Sequence, residues 1–414
     1  MSLDVHLLGQ RIGTLFPAGE DDYRFAYSPE TVGWAGEAAT LLSNSLPVCT
    51  EPFGPGASRC YVEGLLPRGP RRRRLARELG VDAGDGYGLL TRLGGDCAGA
   101  AVFVPPGEGL EGDPGATEWL TDEELEDLVA GIPNGAGGAG SESPVRFSLS
   151  GEHHKLAVVR DERGSRWGLP QPSSPSTHVI KPETGEHPDL VANEMYCTEV
   201  AHSAGLPVVE MEPLRVGAHQ VIISTRFDRR RGSKPVRIHQ EDFCQALGLP
   251  PRDQADDEGP GFTEACGLLR AIGRSEDVPR LLAAAIFNYI VGNGDAHGEN
   301  FALLFGGDGQ RLAPLYDLTS TLVYDAPVHA GMVIAEEYDS EHPSLIELAR
   351  VSEESGYDFD AFRELAGETA AAVGECLQPV AERARAEGWH AEVIDEIAGL
   401  AAERAFGLGA EVAY

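Results

Sequence analysis

The sequence predicts an α+β protein with two lobes behind a small, mostly β amino-terminal domain. Three observations predict it. Short apolar segments separated by turn signals occupy the first hundred residues, a second strand-rich stretch follows at 145–230, and 231–414 has largely helical composition and spacing. NGAGGAGSESP (134–144) has the composition of a flexible linker and puts the major boundary near 140. The expected division is therefore 1–106 for the amino-terminal domain, 107–144 for a linker with a short helix, 145–230 for the strand-rich lobe and 231–414 for the helical lobe.

The elements follow in order. VHLLG (5–9), RIGTLF (11–16), YRFAYS (23–28) and SNSLPV (43–48) are short apolar segments bounded by turn residues, as strands are. RRLARELGV (73–81) has helical spacing, CAGAAVFVP (97–105) suits a buried strand, and GEGLEGDPGA (107–116) is a turn-rich break. TDEELEDLVAGI (121–132) opens with Thr121 and has Glu124 three residues on, the signature of a capped helix start. RFSLS, GEHH and KLAVVRD then parse as strand, turn and strand, with ERGS as another turn. STHVIKPE (176–183) is the next strand, with Lys181 near its end. Over 190–204 helical spacing gathers Leu190, Val191, Cys197, Val200, Ala201 and Ala204 on one broad face. Glu194 lies on that face, where an acid needs a cation nearby or a route to solvent. VIISTRF (221–227) is a strand, while FCQALG, EACGLLRAIG, VPRLLAAAIFNYIV and much of 344–407 are helical.

A formal charge of −33 argues against broad nonspecific adhesion to nucleic acid and leaves room for a local basic site. Six arginines fall within RGPRRRRLAR (68–77), a run that suits a solvated helix face, a partner contact or a nucleic-acid contact. Seven cysteines at 49, 60, 97, 197, 244, 266 and 376 show no CxxC or alternating Cys/His spacing, which favours a reducing compartment over a disulfide or zinc framework. No apolar run is long enough to cross a bilayer, and MSLDVHLLGQ lacks the basic start and apolar core of a signal peptide. The expectation is a cytoplasmic chain with no membrane partner.

The chemistry concentrates where the apolar run ending in LLAAAIFNYI meets VGNGDAHGENF (291–301). Asp295 and Asn300 stand five positions apart, and Asp317 follows in APLYDLTS after another apolar segment. Phosphoryl transfer needs a carboxylate to orient the acceptor hydroxyl, and oxygen ligands to hold magnesium at the transferred phosphate. Asp295, Asn300 and Asp317 can supply those roles, Lys181 can meet the phosphates, and Glu194 can hold that lysine as in protein kinases. Each residue alone also fits a structural part: Asp295 as a turn residue, His297 as a packing group, Lys181 as a surface lysine, Glu194 as a folding acid. The ordered set points to a phosphotransferase.

The chain resembles the HipA family of bacterial toxin kinases, the serine/threonine kinase half of a type II toxin–antitoxin pair. The resemblance runs through VHLLGQRIGTLF, SLPV, CAGAAVFVP, SLSGEHHKLAVV, THVIKP, TRFDRR, HQEDFCQALGLP, GNGDAHGENF and APLYDLTS, in that order, across essentially the whole chain. It implies a protein-kinase-like fold, with ATP and Mg²⁺ as cofactors. Asp295 then takes the catalytic position, and Asn300 and Asp317 the magnesium-binding positions. Lys181 matches the lysine on the ATP phosphates, and Thr225, Arg226 and Phe227 match the segment that meets adenine. His297 and Tyr316 stand near the nucleotide, and Ser150, Gly151, Glu152, His153, His154 and Lys155 match the phosphate loop. Ser148 matches the family's autophosphorylated serine. The loop departs from the GxGxxG of ordinary protein kinases, and places an acid and two histidines at 152–154.

What the resemblance implies about function is transfer of the ATP γ-phosphoryl group to a protein serine or threonine, with self-inactivation through Ser148. The partners it implies are a protein substrate, a HipB-like helix-turn-helix antitoxin, and operator DNA contacted mainly through that antitoxin. Two other functions stay open from the sequence: a small-molecule kinase, and a catalytically weak antitoxin-binding corepressor.

Overall fold

The computed structural model describes residues 2–19, 22–107, 110, 117–134, 155–171, 173–183, 187–232, 234–250, 259–324, 332, 334 and 343–413. It divides into two compact units. The first is Met1–Pro182 with Leu214–Pro251 and Leu304–Gly309, and the second is Glu183–Pro213 with Arg252–Leu303 and Gln310–Tyr414.

In chain order, the amino-terminal part forms β1 (Leu3–Leu7), β2 (Gln10–Pro17), β3 (Tyr23–Tyr27), α1 (Pro29–Ala35), α2 (Pro55–Glu63), α3 (Gly69–Leu79), α4 (Gly86–Leu93) and β4 (Ala101–Val104). Next come β5 (Glu118–Trp119), α5 (Asp122–Asn134), β6 (Leu156–Arg160), β7 (Trp167–Leu169), β8 (His178–Pro182) and α6 (Leu190–Ser203). β9 (Met211–Val216), β10 (His219–Thr225), β11 (Arg229–Arg230), β12 (Val236–Arg237), β13 (Gln240–Asp242) and α7 (Phe243–Leu247) follow. The rest is α8 (Phe262–Ala271), α9 (Val278–Val291), β14 (Ala302–Gly306), β15 (Gly309–Leu312), α10 (Leu345–Ser355), α11 (Phe359–Glu387) and α12 (Glu392–Val412).

The amino-terminal sheet has the order β3-β2-β1-β4. β1 buries Leu3, Val5 and Leu7 on one face, as its period of two requires, and Val5 pairs with Gly13 of β2 and Phe103 of β4. The helices α1, α2 and α4 are too short to show a clear apolar stripe in the sequence, and capping marks two of their starts. Ser28 accepts from the Thr31 N–H ahead of Pro29, and Asp85 accepts from the Gly88 N–H. The arginine run opens α3 and is largely folded inward. Arg68 and Arg71 are buried, Arg72 pairs with Glu63 and donates to Ala83 O at 2.6 Å, and Arg73 and Arg77 remain exposed.

The second sheet has the order β5-β7-β6-β8-β10-β9. β8 forms within the predicted 176–183 strand and alternates, burying His178, Ile180 and Pro182 and leaving Val179 and Lys181 half-buried. Its inner face packs with Leu125, Val129 and Ile132 of α5. The predicted cap of α5 forms: the Thr121 N–H donates to Glu124 Oε2 at 2.8 Å and the Glu124 N–H to Thr121 Oγ1 at 3.2 Å. The RFSLS strand, the GEHH turn and most of the 134–144 linker lie outside the described residues.

SNSLPV is not a strand. Ser43 Oγ donates to Glu241 Oε2 at 2.5 Å, Asn44 donates to Glu241 Oε1 from its backbone at 3.1 Å and its amide at 2.7 Å, and Ser45 Oγ donates to Gln245 O at 2.6 Å. The polar side chains thus join the segment to the HQEDFCQALG stretch in place of a ladder. Burial pushes the Glu241 carboxyl up to about 8, against the pull of its Ser43 and Asn44 donors, and Asp242 is pushed up by burial to about 7. A carboxyl whose folded value lies above its unfolded value of 4.5 contributes stability that is full below that value and is lost as pH rises through about 8. Denaturant midpoints should therefore fall between about pH 4.5 and about pH 8, and Glu241→Gln should flatten part of that fall. An unchanged slope in Glu241→Gln would rule out Glu241 as a source.

The second unit is helical, and its long α11 runs 29 residues. α6 is buried around most of its circumference rather than on one face: every residue from Leu190 to Thr198 is buried, Glu194 included. No helix among the described residues is long and apolar enough to cross a membrane.

Candidate active site

α9 buries Leu281 through Val291 without interruption, so the chain must turn sharply to bring polar residues out of it. Gly292 makes that turn at φ 74, a backbone region that glycine enters without a Cβ clash. The Gly292 N–H donates to Tyr289 O at 3.1 Å and the Asn293 N–H to Asn288 O at 2.8 Å, closing the helix end in a Schellman arrangement. Arg404 of α12, itself buried, donates to Tyr289 O at 2.7 Å and lies 4.6 Å over its ring. A cation there also favours the negative end of the α9 dipole.

The loop after Gly292 is held by its own side chains. Asn293 Nδ2 donates to Asn288 Oδ1 at 3.1 Å, and Asn293 Oδ1 accepts the Asp295 N–H at 3.2 Å. The His297 N–H donates to Asn300 Oδ1 at 3.1 Å, the Asn300 N–H to His297 O at 2.9 Å, and the Glu299 N–H to His297 Nδ1 at 3.3 Å. With Nδ1 accepting, the neutral ring carries its proton on Nε2, which lies 3.8 Å from Asp295 Oδ1. The Asp295 side chain is 48% exposed, so a hydroxyl from solvent can reach it.

Asp317 sits on a neighbouring loop with φ 55, a left-handed conformation that aspartate tolerates better than most residues. Tyr316 donates its hydroxyl to Glu299 O at 2.5 Å, and the Gly294 N–H donates to Thr321 Oγ1 at 2.8 Å. The loop is also fastened to α6. Asn193, fully buried, donates from Nδ2 to Ser320 O at 2.8 Å and accepts the Ser320 N–H on Oδ1 at 2.8 Å. Asp295, His297, Asn300, Tyr316 and Asp317 are thus brought together on two braced loops of the second unit. Carboxylate and amide oxygens are hard donors of the kind Mg²⁺ takes, together with phosphate oxygens.

Apart from Glu194, the first unit holds the other predicted residues that are described. Lys155 precedes β6, and Lys181 on β8 pairs in register with Ile222 of β10. Thr225 ends β10 opposite His178, and Arg226 and Phe227 follow it. The Arg226 guanidinium is buried and donates to Asp228 and Ser176. Glu194 lies on α6 of the second unit. Ser148, Ser150, Gly151, Glu152, His153 and His154 lie outside the described residues.

Sequence reasoning misses Asn193, Thr321 and Arg404, which brace the loops. An asparagine and an arginine on buried helix positions are the signals that were present, since buried polar groups need partners.

Two family models match the chain: HipA-like C-terminal domain over residues 147–387, and HipA N-terminal domain over residues 3–104. The Sinorhizobium fredii protein Y4mE is 38% identical over 332 residues, covering 78% of this chain and 78% of its own length. The serine/threonine-protein kinase toxin HipA of Shewanella oneidensis is 28% identical over 375 residues, 84% of this chain and 82% of that protein. In the solved complex of Shewanella oneidensis HipA, HipB and operator DNA, the matched chain aligns over 99% of this chain and 96% of its own length, with a TM-score of 0.79 and 25% identity. With both domains matched in order and a relative 38% identical across most of its length, the chain belongs to the HipA family of toxin kinases.

Proposed function

We propose that the chain transfers the γ-phosphoryl group of ATP to a serine or threonine hydroxyl of a protein, and that it is the toxin of a toxin–antitoxin pair. The observation that supports this most is the bracing of the two loops. Tyr316 to Glu299 and Gly294 to Thr321 hold Asp295, Asn300 and Asp317 in one constellation before any substrate arrives.

Asp295 accepts the hydroxyl proton as the acceptor oxygen bonds to the γ-phosphorus. The bond from that phosphorus to the bridging oxygen breaks, and ADP leaves. His297 Nε2 lies 3.8 Å from Asp295 Oδ1, close enough to interact electrostatically with that carboxylate. Asn300 and Asp317 would hold Mg²⁺, which when bound would offset charge on the phosphate oxygens. By the family resemblance, Lys181 would supply a cation to the ATP phosphates. Family membership and the Shewanella oneidensis complex favour a small antitoxin partner, with operator DNA reached mainly through it.

Incubating the full chain with ATP and Mg²⁺, then mapping phosphate by peptide mass spectrometry, tests the reading. Phosphate on Ser148, with weaker ATP binding afterwards, is the expected result, because about two added negative charges disfavour a triphosphate. Phosphate on Ser150 alone would move the acceptor and keep the reaction class. ATP binding without any protein phosphorylation, alongside phosphorylated small metabolites, would overturn the protein-kinase reading.

A further inference from the structure

The first unit buries a cluster of ionised groups that the proposed transfer does not itself use. Asp96, between α4 and β4, is almost wholly buried, as are Ser176, Arg226, Asp228 and Arg229. Asp96 Oδ2 accepts from Ser176 Oγ at 2.5 Å and from the Ser176 N–H at 3.0 Å, while Oδ1 accepts from Arg229 at 3.0 Å and Arg237 at 3.2 Å. Arg226 forks onto Asp228 at 2.9 and 2.6 Å and donates to Ser176 Oγ at 2.8 Å. Arg226 and Arg229 both donate to Cys97 O, at 3.0 and 2.8 Å.

The amino-terminal segment 96–99 is therefore tied to the residues that end β10. Asp228 Oδ2 also accepts the Gly99 N–H at 2.7 Å. Gly99 has φ 74, and a Cβ there would lie 2.7 Å from Gln240 O, so the approach admits only glycine. Three guanidinium groups and two carboxylates share this volume, and a charge removed from a dry cluster leaves its partners unbalanced. The Arg226 N–H also donates to Thr177 O at 3.0 Å, so Arg226 is fixed through both backbone and side chain.

We infer that Asp96 is a positioning residue for the nucleotide: through Ser176 and Arg226 it sets the Thr225–Phe227 backbone that reads adenine. This rests on the proposed ATP reaction and on the family resemblance that assigns adenine to Thr225–Phe227. Its consequence is that adenine affinity depends on the amino-terminal domain. A partner that moved segment 96–99 would change ATP binding without touching the catalytic loops.

The test compares binding of ATP–Mg²⁺ with binding of inorganic tripolyphosphate–Mg²⁺, which carries the phosphates and no base. For Asp96→Asn we expect the ATP dissociation constant to rise about tenfold, within the usual range for coupled sites, with tripolyphosphate binding unchanged. Ser176→Ala, which removes the bridging hydroxyl and keeps every charge, should shift the same ratio in the same direction by a smaller factor. Leu90→Ala, which truncates a buried apolar side chain of α4 and removes no charge or hydrogen-bonding group, is the stability control and should leave the ratio as in wild type. If Asp96→Asn does not fold, Ser176→Ala against Leu90→Ala decides. A wild-type chain that prefers ATP over tripolyphosphate, with both cluster variants keeping that preference, would overturn the positioning role alone. An equal shift in Leu90→Ala would overturn it too. A wild-type chain that binds neither compound would overturn the ATP reading and this inference with it.

Discussion

Asp295→Asn should keep the fold and ATP binding and lower the phosphoryl-transfer rate by about 10²–10⁴-fold, the range for loss of a positioned acid–base group. The amide has nearly the volume of the carboxylate and cannot take the acceptor proton. The substitution should cost little stability because the side chain is 48% exposed. The backbone bond from the Asp295 N–H to Asn293 is unaffected by the change. Initial rates at saturating ATP and Mg²⁺, read beside a thermal melt, separate the two effects. A wild-type rate in Asp295→Asn would remove Asp295 from the mechanism.

The second large effect is expected at Asp317. Its φ of 55 means that two substitutions report different things. Asparagine tolerates the left-handed region, so Asp317→Asn chiefly removes negative charge from the proposed metal site. Alanine adds backbone strain of roughly 1–2 kcal/mol to that loss. Asp317→Asn should weaken Mg²⁺-dependent ATP binding by roughly 10²-fold, the scale of losing an interaction worth several kcal/mol. Binding without Mg²⁺ should change little. Titrations of ATP with and without Mg²⁺ give both numbers, and an Mg²⁺ dependence equal to wild type would take Asp317 out of the ligand set. Asp317→Ala should show the same binding loss with a lower melting temperature.

Much of this was legible in the sequence because it is local. The apolar run of 281–291, broken only by Asn288, fits an interior helix, and the glycine at 292 supplies the turn that ends it. Alternation alone gives β1 and β8 their inward faces, and the Thr121–Glu124 spacing gives α5 its cap. The motif spacing of Asp295, Asn300 and Asp317 likewise named a set of residues that the second unit carries on two neighbouring loops.

The tertiary structure decided what the polar residues inside the protein are for. SNSLPV reads as a strand in a short window, yet Ser43 bonds to Glu241, 198 positions away. The arginine run reads as a solvated face or a contact surface for a partner or nucleic acid, and Arg68 and Arg71 are buried. Asn193 holds Ser320 from 127 positions away, and Arg404 caps Tyr289 from 115. Periodicity records which side of an element avoids water, and so it locates apolar faces well. A buried polar group must instead be matched by a donor or acceptor of the right geometry, and packing alone brings that distant partner within reach.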